Sequence, residues 1–143
     1  MNPLVPELDV ADLEASLGFY VRTLGFKVRY RRPEDRFAYL EREGAELMLE
    51  EAVGPGRRFR TAPLHRPYGR GMNLQIACSN VERLCASVIA SGAGEIVIPM
   101  ETRWYRNGGA ELGNRQFVVA DPDGYLLRFV QDLGERPAHR SAL

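Results

Sequence analysis

The sequence has few of the residues that bind metals, form disulfides or cross membranes. It contains two cysteines and two histidines among 143 residues, and its apolar runs are only as long as strands. A membrane-spanning helix needs about 20 consecutive apolar residues, and no positively charged start precedes an apolar segment. We therefore expect no membrane partner and a cytoplasmic location. Cys78 and Cys85 lie in apolar-patterned segments, which favours buried free thiols over a disulfide or a reactive site.

The chain also has no excess charge of either sign, because 19 Lys and Arg residues balance 19 Asp and Glu residues. A neutral chain creates no long-range field that attracts polyanions, so nucleic acid is not an expected partner. The hydrophobic content of 45% is enough for one core, and the length favours one domain over two. We predict a single domain spanning residues 1–143.

The two halves of the sequence resemble each other. Each half begins with a short apolar strand, a residue able to cap a helix, and apolar residues at helical spacing. When the first half is aligned on the second, Asp12, the first capping residue, falls on Asn80, the second. Each predicted helix ends near a glycine, Gly25 or Gly92, where a left-handed cap residue is most favourable.

A second match, which needs a larger offset along the chain, pairs the segment 37–49 with the segment 117–129. Both segments predict hairpins, with turns at Glu43-Gly44 and Asp123-Gly124. Because the offset grows between the helix match and the hairpin match, the second half contains an insertion. The glycine-flanked segment 99–116 is its predicted location.

These matches predict an α+β fold of two βαβββ units that form a curved mixed sheet around a shared groove. The predicted boundaries are about 4–52 for the first unit, 53–70 for an arginine-rich linker, 71–132 for the second unit and 134–143 for a mobile tail. A run of arginines without an acid, as in this linker, is typical of a solvated surface, although an anion site is an alternative. The arginines are Arg57, Arg58, Arg60, Arg66 and Arg70.

The repeat, the segment SLGFYVRTLGFKV and the hairpin VVADPDGYLLRF together resemble the glyoxalase and bleomycin-resistance superfamily, the vicinal oxygen chelate fold. The resemblance spans about residues 4–132. It implies the paired βαβββ fold and a homodimer whose subunits complete each other's grooves. It does not by itself imply one chemistry, because related proteins include isomerases, dioxygenases, thiol transferases and drug binders.

Enzymes of this family hold a divalent metal with four side chains, usually His and Glu, one from each of four groove strands. The resemblance places those positions on Val5, Met48, Asn73 and Arg128. Valine has no donor atom and a guanidinium is a permanent cation, while Asn and Met are poor ligands for the metals that these enzymes use. We therefore predict no metal and no cofactor.

Strand alternation predicts which other side chains face the groove. The neighbours of the four positions make the groove polar and somewhat acidic, which favours a hydrophilic or cationic ligand. In the alternative interpretation, the carboxylates are solvated and Arg128 pairs with Glu46 or Glu50 across the sheet. The candidate ligand-binding residues on these strands are Glu7, Glu46, Met48, Glu50, Asn73, Gln75 and Arg128.

The insertion is predicted to be a glycine-flanked loop that places Trp104 and Tyr105 beside arginines. Its segment with Trp104 and Arg115 resembles that of bleomycin-resistance proteins, where aromatic side chains hold the drug. Flat aromatic faces near a groove can stack on a planar ligand or a cation. In the alternative, Trp104 and Tyr105 pack under their own loop or in a subunit contact. No Ser, Cys or His stands in a nucleophile context, and no residue is assigned a catalytic role.

The first functional hypothesis is a metal-free, homodimeric binding protein of the bleomycin-resistance type that sequesters a small hydrophilic or cationic molecule. One departure from those binders is the neutral overall charge. The second hypothesis is a divergent enzyme of the family, a lyase, isomerase or dioxygenase relative with no metal or an unusual one. The third is a sensing module without a small ligand.

Overall fold

The computed structural model describes residues 1–138 and has an α+β fold of two βαβββ units, as the sequence predicts. The first unit contains β1 (Glu7–Val10), α1 (Leu13–Leu17), β2 (Lys27–Arg32), β3 (Phe37–Arg42) and β4 (Ala45–Glu51). The second contains β5 (Asn73–Ala77), α2 (Val81–Ser91), β6 (Glu95–Asn107), β7 (Ala110–Ala120) and β8 (Leu126–Pro137).

Both helices begin at the predicted capping residues. The side chain of Asp12 accepts a hydrogen bond from the Ala15 N–H at 3.1 Å. The side chain of Asn80 accepts one from the Arg83 N–H, also at 3.1 Å. Each cap satisfies one of the backbone donors that a helix start leaves unpaired, which fixes where the helix begins.

The two helices end differently. After α1 the chain continues as a π-helical turn, Gly18–Thr23, and the successive residues Phe19 and Tyr20 are both buried. The longer helix, α2, ends at Gly92, whose φ of 65° is left-handed as predicted. Within residues 1–138, no helix is long and apolar enough to cross a membrane.

The strands form two four-stranded mixed sheets with the same internal order, β1-β4-β3-β2 and β5-β8-β7-β6. In each sheet the first strand of the unit pairs in parallel with the last, and the other pairs are antiparallel. Glu7 lies opposite Met48, and Gln75 lies opposite Arg128. These two pairs correspond to each other in the alignment of the two halves, so the sequence repeat is also a repeat in strand register.

One hydrophobic core joins the two units. Both helices and the inner faces of both sheets contribute to it. Most of the positions that strand alternation places opposite the groove lie in this core: Leu8, Val10, Leu47, Leu49, Ile76, Cys78, Leu127 and Phe129. Of the other two, Leu74 is partly buried against the core, and Pro6 is half-buried just before β1 begins. Cys78 and Cys85 are buried free cysteines, as expected, and burial raises the pKa of both thiols.

Hydrogen bonds from buried side chains also join the units. The Tyr20 hydroxyl, in the first unit, donates to the Asp121 carboxylate of the second at 2.7 Å. The Tyr125 hydroxyl of the second unit donates to the Asp9 carbonyl of the first at 2.8 Å. The units are therefore held together by polar contacts as well as by apolar packing.

The two hairpin turns differ from each other. Glu43 and Gly44 both have positive φ, 46° and 89°, which fits the predicted two-residue turn. The second turn spans Asp121–Gly124 and is closed by the Gly124 N–H donating to the Asp121 carbonyl at 3.0 Å. The predicted tight turn at Asp123-Gly124 is therefore wrong, because Pro122 favours the second position of a four-residue turn.

The insertion is a long hairpin and not a loop. Trp104 lies opposite Gly113, and Tyr105 lies opposite Leu112, in the β6–β7 ladder. The loop prediction was wrong because strands pair through backbone N–H and C=O groups. A polar, glycine-flanked segment carries these groups as well as an apolar one does.

The mobile tail was predicted to begin at residue 134, which is before the last strand ends. β8 continues to Pro137, with Gly134 opposite Gly113 and Pro137 opposite Ala110. The extended β7 supplies hydrogen-bond partners for the backbone of this segment, so the segment forms a strand without an apolar alternation in its sequence. The remaining part of that prediction, from residue 139 onward and including His139, lies outside the described residues.

Candidate functional site

The predicted groove residues of the first unit lie on the outer face of its sheet, opposite the helices. On this face Glu7 and Asp9 of β1 lie opposite Met48 and Glu50 of β4. Glu50 is 6% exposed. A carboxylate this buried needs compensating partners, because transfer of an unpaired charge out of water is costly.

The linker supplies those partners. The Arg58 guanidinium forms an ion pair with Glu50, and the Arg60 guanidinium forms one with Asp9 at 2.9 Å. The prediction that the linker arginines are a solvated surface is therefore wrong for these two residues. Charge complementarity across the groove face is the physical reason, because isolated carboxylates there attract the nearest arginines.

Glu7 has an unusual environment on the same face. A hydrogen-bonding interaction with the Glu50 carboxyl group, together with partial desolvation, raises the pKa of Glu7 to about 7. The nearby Asp9 also raises the pKa and Arg58 lowers it. The protonated Glu7 can therefore donate a hydrogen bond at neutral pH, when an ordinary glutamate only accepts.

Glu46 and Met48 complete the first-unit face. Glu46, 8% exposed, accepts hydrogen bonds from the Asn2 N–H at 2.5 Å and from the Arg29 guanidinium at 3.4 Å. Met48 is half-buried and lies opposite Tyr39 in the β3–β4 pair. This end of the face therefore offers a thioether and an aromatic ring beside a carboxylate that is already paired.

The predicted groove residues of the second unit form a separate cluster. The Arg128 guanidinium donates to the Gln75 side-chain oxygen at 2.6 Å. Asn73 is exposed at the start of β5. Within the described residues, Arg128 forms no ion pair with Glu46 or Glu50, so the alternative pairing predicted across the sheet is wrong. The two glutamates take arginines from elsewhere because they belong to the other sheet.

Tyr105 joins this second cluster. Its hydroxyl accepts a hydrogen bond from the Gln116 side-chain amide at 2.8 Å, and the same amide donates to Glu101 at 3.1 Å. Tyr105 also lines an open pocket of about 270 Å³ together with Gln75 and Arg128.

Two polar atoms of this cluster are buried without a hydrogen-bond partner among the described residues, Gln116 Oε1 and Arg128 Nε. An unpaired buried polar atom costs about 1–3 kcal/mol. The second-unit face is thus polar and partly buried, and residues 1–138 leave some of its hydrogen-bonding groups without partners.

Trp104 and Arg115 lie on the other face of this sheet. Arg115 donates to Glu82 of α2 at 3.1 Å, so it points to the helix side. The Trp104 ring packs under the Arg136 guanidinium, 3.9 Å from the ring centroid. Consecutive residues on a strand face opposite sides, so Tyr105 faces the groove and Trp104 does not. The placement of Trp104 and Arg115 at the groove is therefore wrong.

The residues at the four metal-ligand positions do not fit a metal. Val5 offers no donor, Met48 offers a soft thioether, and Arg128 carries a permanent positive charge that is already bound to Gln75. Among residues 1–138, no three His, Cys, Asp or Glu side chains cluster closely enough to hold a metal ion.

Comparisons with known proteins identify the family. The family model described as Glyoxalase/Bleomycin resistance protein/Dioxygenase superfamily matches residues 5–129. The chain belongs to this superfamily. A bleomycin resistance protein from Geobacillus stearothermophilus is 27% identical over 137 residues, which covers 90% of this chain and 96% of that protein. A bleomycin resistance protein from Staphylococcus aureus matches with the same identity and coverage.

Solved structures of related proteins have the same fold. TioX from Micromonospora sp. ML1 is 25% identical with a TM-score of 0.66, covering 92% of this chain and 100% of TioX. A glyoxalase/bleomycin resistance protein from Streptomyces sp. CB03234 is 25% identical with a TM-score of 0.65, covering 89% of this chain and 97% of that protein.

In this member of the superfamily, the sequence prediction missed Arg58, Arg60 and Gln116 as groove residues. A signal for the arginines was present, because a linker rich in arginine and without an acid accompanied several predicted groove carboxylates. No comparable signal existed for Gln116, whose position depends on the unpredicted pairing of β6 with β7.

Proposed function

We propose that this protein binds a small hydrophilic or cationic molecule without a metal and sequesters it, as a bleomycin-resistance-like member of its superfamily. The observation that carries this proposal is the second-unit face, where Gln116 Oε1 and Arg128 Nε are buried without partners among the described residues. A ligand that carries both hydrogen-bond donors and acceptors would satisfy both atoms, either directly or after side chains move to let the ligand reach them. The relatives named as bleomycin resistance proteins support the same class of function.

We further propose that two copies of the chain form the complete binding site. Within residues 1–138 of one chain, the carboxylates of the first-unit face pair only with side chains of the first unit and the linker. These carboxylates belong to Glu7, Asp9 and Glu50. The Gln75 and Arg128 face keeps its contacts within the second unit. A second copy that places one face against the other would enclose a groove with carboxylates on one wall and amides and a guanidinium on the other.

Subunit association is tested by sedimentation equilibrium of the purified chain. A dimer has twice the 16.1 kDa mass of one chain. A species that stays at the mass of a single chain up to high micromolar concentration would exclude a groove shared between copies.

Ligand binding is tested by thermal and chemical denaturation in the presence of metal-free bleomycin, the drug in the relatives' name. A ligand at 100 times its dissociation constant should raise the free energy of unfolding by about 2.7 kcal/mol. Replacing Arg128 by Leu should weaken binding by about tenfold or more, because a hydrogen bond from a charged group contributes about 1.5–3 kcal/mol.

Arg115→Leu is the matched control, since this arginine lies on the helix side of the same sheet and points to Glu82. It should leave bleomycin binding unchanged. Equal loss of binding in the two variants would place the ligand elsewhere, and no stabilisation of any variant by bleomycin would refute the proposal for this drug.

A further inference from the structure

The linker folds back onto the groove face of the first unit and pairs with two of its carboxylates, Glu50 and Asp9. We call residues 53–60 the latch. Arg58 of the latch is paired with Glu50, and the side chains of these two residues are only 11% and 8% exposed. Arg58 also donates to the Glu51 carbonyl at 2.8 Å. The latch therefore closes the carboxylate that a cationic ligand would need to reach.

The backbone of the latch fits tightly around this ion pair. A Cβ atom added at Gly56 would lie 2.5 Å from a guanidinium nitrogen of Arg58 and 2.7 Å from a carboxylate oxygen of Glu50. One added at Gly54 would lie 2.6 Å from the other terminal nitrogen of Arg58. All three distances are too short for real contacts, so a side chain at either glycine would displace the guanidinium.

Apolar burial contributes little to the closed position of the latch. Its large apolar residues, Val53 and Phe59, are 81% and 70% exposed. The anchors are instead the Arg58–Glu50 ion pair and the Arg60–Asp9 ion pair, which lies at 2.9 Å. An arrangement held by arginine–carboxylate pairs can exchange its cation for another one of similar chemistry.

We propose that the latch is an autoinhibitory strap in which Arg58 occupies the place of a ligand guanidinium or amidinium group. Such a group displaces Arg58 from Glu50 and opens the first-unit face. If a protein binds ligand only in its open form, its apparent dissociation constant is the intrinsic constant divided by the open fraction. This inference rests on the proposed function for its ligand class, whereas the closed latch itself is tested without any ligand.

The first test measures the initial rate of chymotrypsin cleavage after Phe59 in native protein by mass spectrometry. Cleavage requires a locally opened segment, so its rate follows the open population. Glu50→Gln should raise this rate about tenfold or more, because it removes the more buried of the two anchoring ion pairs, Arg58–Glu50, without changing the cleaved sequence. Glu46→Gln, on the same strand and face but bound to Arg29, is the matched control and should leave the rate unchanged.

Gly56→Ala provides a second opening variant that keeps every charge, and it should also accelerate cleavage. A synthetic peptide of residues 53–64, with and without this substitution, corrects for any intrinsic change in cleavage. Absence of cleavage in the core segments shows that each variant is folded. Equal rates for wild type, Glu50→Gln and Gly56→Ala would overturn the closed latch.

The second test adds N-butylguanidinium to the wild-type protein, with the neutral isostere N-butylurea as control at equal ionic strength. The guanidinium compound should accelerate cleavage after Phe59 in the protein and not in the peptide, and the urea should accelerate neither. If Glu50→Gln opens the latch but N-butylguanidinium does not, displacement by a cation is overturned. Failure of bleomycin to bind any variant would count against the proposed function and would leave the cleavage result for the latch unaffected.

Discussion

The Asp123 carboxylate accepts a hydrogen bond at 3.2 Å from the backbone N–H of Ala11, which precedes the helix of the other unit. Glu43, the residue equivalent to Asp123 in the hairpin match, accepts the N–H of Ser79 at 3.2 Å. Ser79 is equivalent to Ala11 in the helix match. Each hairpin turn thus holds the start of the other unit's helix, where an acidic group is electrostatically favourable.

Removal of the Tyr20 hydroxyl should destabilise the junction between the units. Tyr20→Phe deletes the buried donor to Asp121, and loss of a hydrogen bond to a charged acceptor costs about 1–3 kcal/mol. We expect this decrease in the free energy of unfolding from urea titrations followed by circular dichroism. Tyr30→Phe is the control, since the Tyr30 hydroxyl has no hydrogen bond within residues 1–138 and its ring is exposed. A decrease of the same size in both variants would contradict a specific role for the Tyr20–Asp121 contact.

Glu7 should make stability depend on pH between about 4.5 and 7. Its pKa is about 7 in the folded chain, chiefly because of its hydrogen-bonding interaction with Glu50, whereas the pKa of an ordinary glutamate is 4.5. In this window the folded state binds more protons than the unfolded state, so the free energy of unfolding falls as pH rises. The contribution is fully present below pH 4.5 and is lost as pH rises through 7.

The measurement for Glu7 is a series of urea titrations from pH 4 to 8 on wild type and Glu7→Gln. The variant should show a shallower decline over that window, because it cannot bind the extra proton. Burial also raises the pKa of Asp121 and Asp123, so some decline should remain in both proteins. Identical slopes would show that Glu7 titrates normally.

Gly113 should control the position of the Trp104 ring. A Cβ atom at Gly113 would lie 2.6 Å from this ring, so Gly113→Ala must push the indole outward. Because Trp104 is the single tryptophan, its fluorescence emission should shift to longer wavelength. Gly109→Ala, in the same hairpin with open space around it, should leave the emission unchanged. An unshifted spectrum for Gly113→Ala would mean that the β6–β7 pairing differs from that described.

Treatment that removes metal ions should not change the thermal stability of the protein. Since Val5, Met48, Asn73 and Arg128 form a poor ligand set, we expect dialysis against EDTA to leave the melting temperature unchanged. Zinc, nickel and manganese added afterwards should give no saturable stabilisation. Stoichiometric metal that survives dialysis, measured by elemental analysis, would instead support the enzyme hypothesis.

The sequence was most informative where local chemistry and repetition coincide. Asp12 and Asn80 were predicted as helix caps because a short polar side chain before an apolar helical pattern has one favourable use. The shared groove face of Glu7 and Met48 could be predicted because strand alternation and the repeat, through Gln75 and Arg128, gave the same assignment. Strand alternation then separated the core face from the groove face correctly.

The failures concern contacts between segments far apart in sequence. Trp104 and Tyr105 were predicted together in a loop, but strand pairing sends them to opposite faces. The partner of Arg58 depends on how the linker returns across β4, which no local pattern specifies. The acidic character predicted for the groove was accordingly too strong, because Glu50 and Asp9 are neutralised by arginines of the same chain.

Because Tyr20 bonds to Asp121 and the two units share one core, we expect the units to associate without the peptide that connects them. The core packing and the two hydrogen bonds that join the halves, Tyr20–Asp121 and Tyr125–Asp9, lie outside residues 61–64. A chain interrupted there retains those attractions, and fragment complementation should occur when the separately expressed halves are mixed. Neither half carries a closed core of its own, so each fragment alone should remain aggregation-prone until it meets its counterpart.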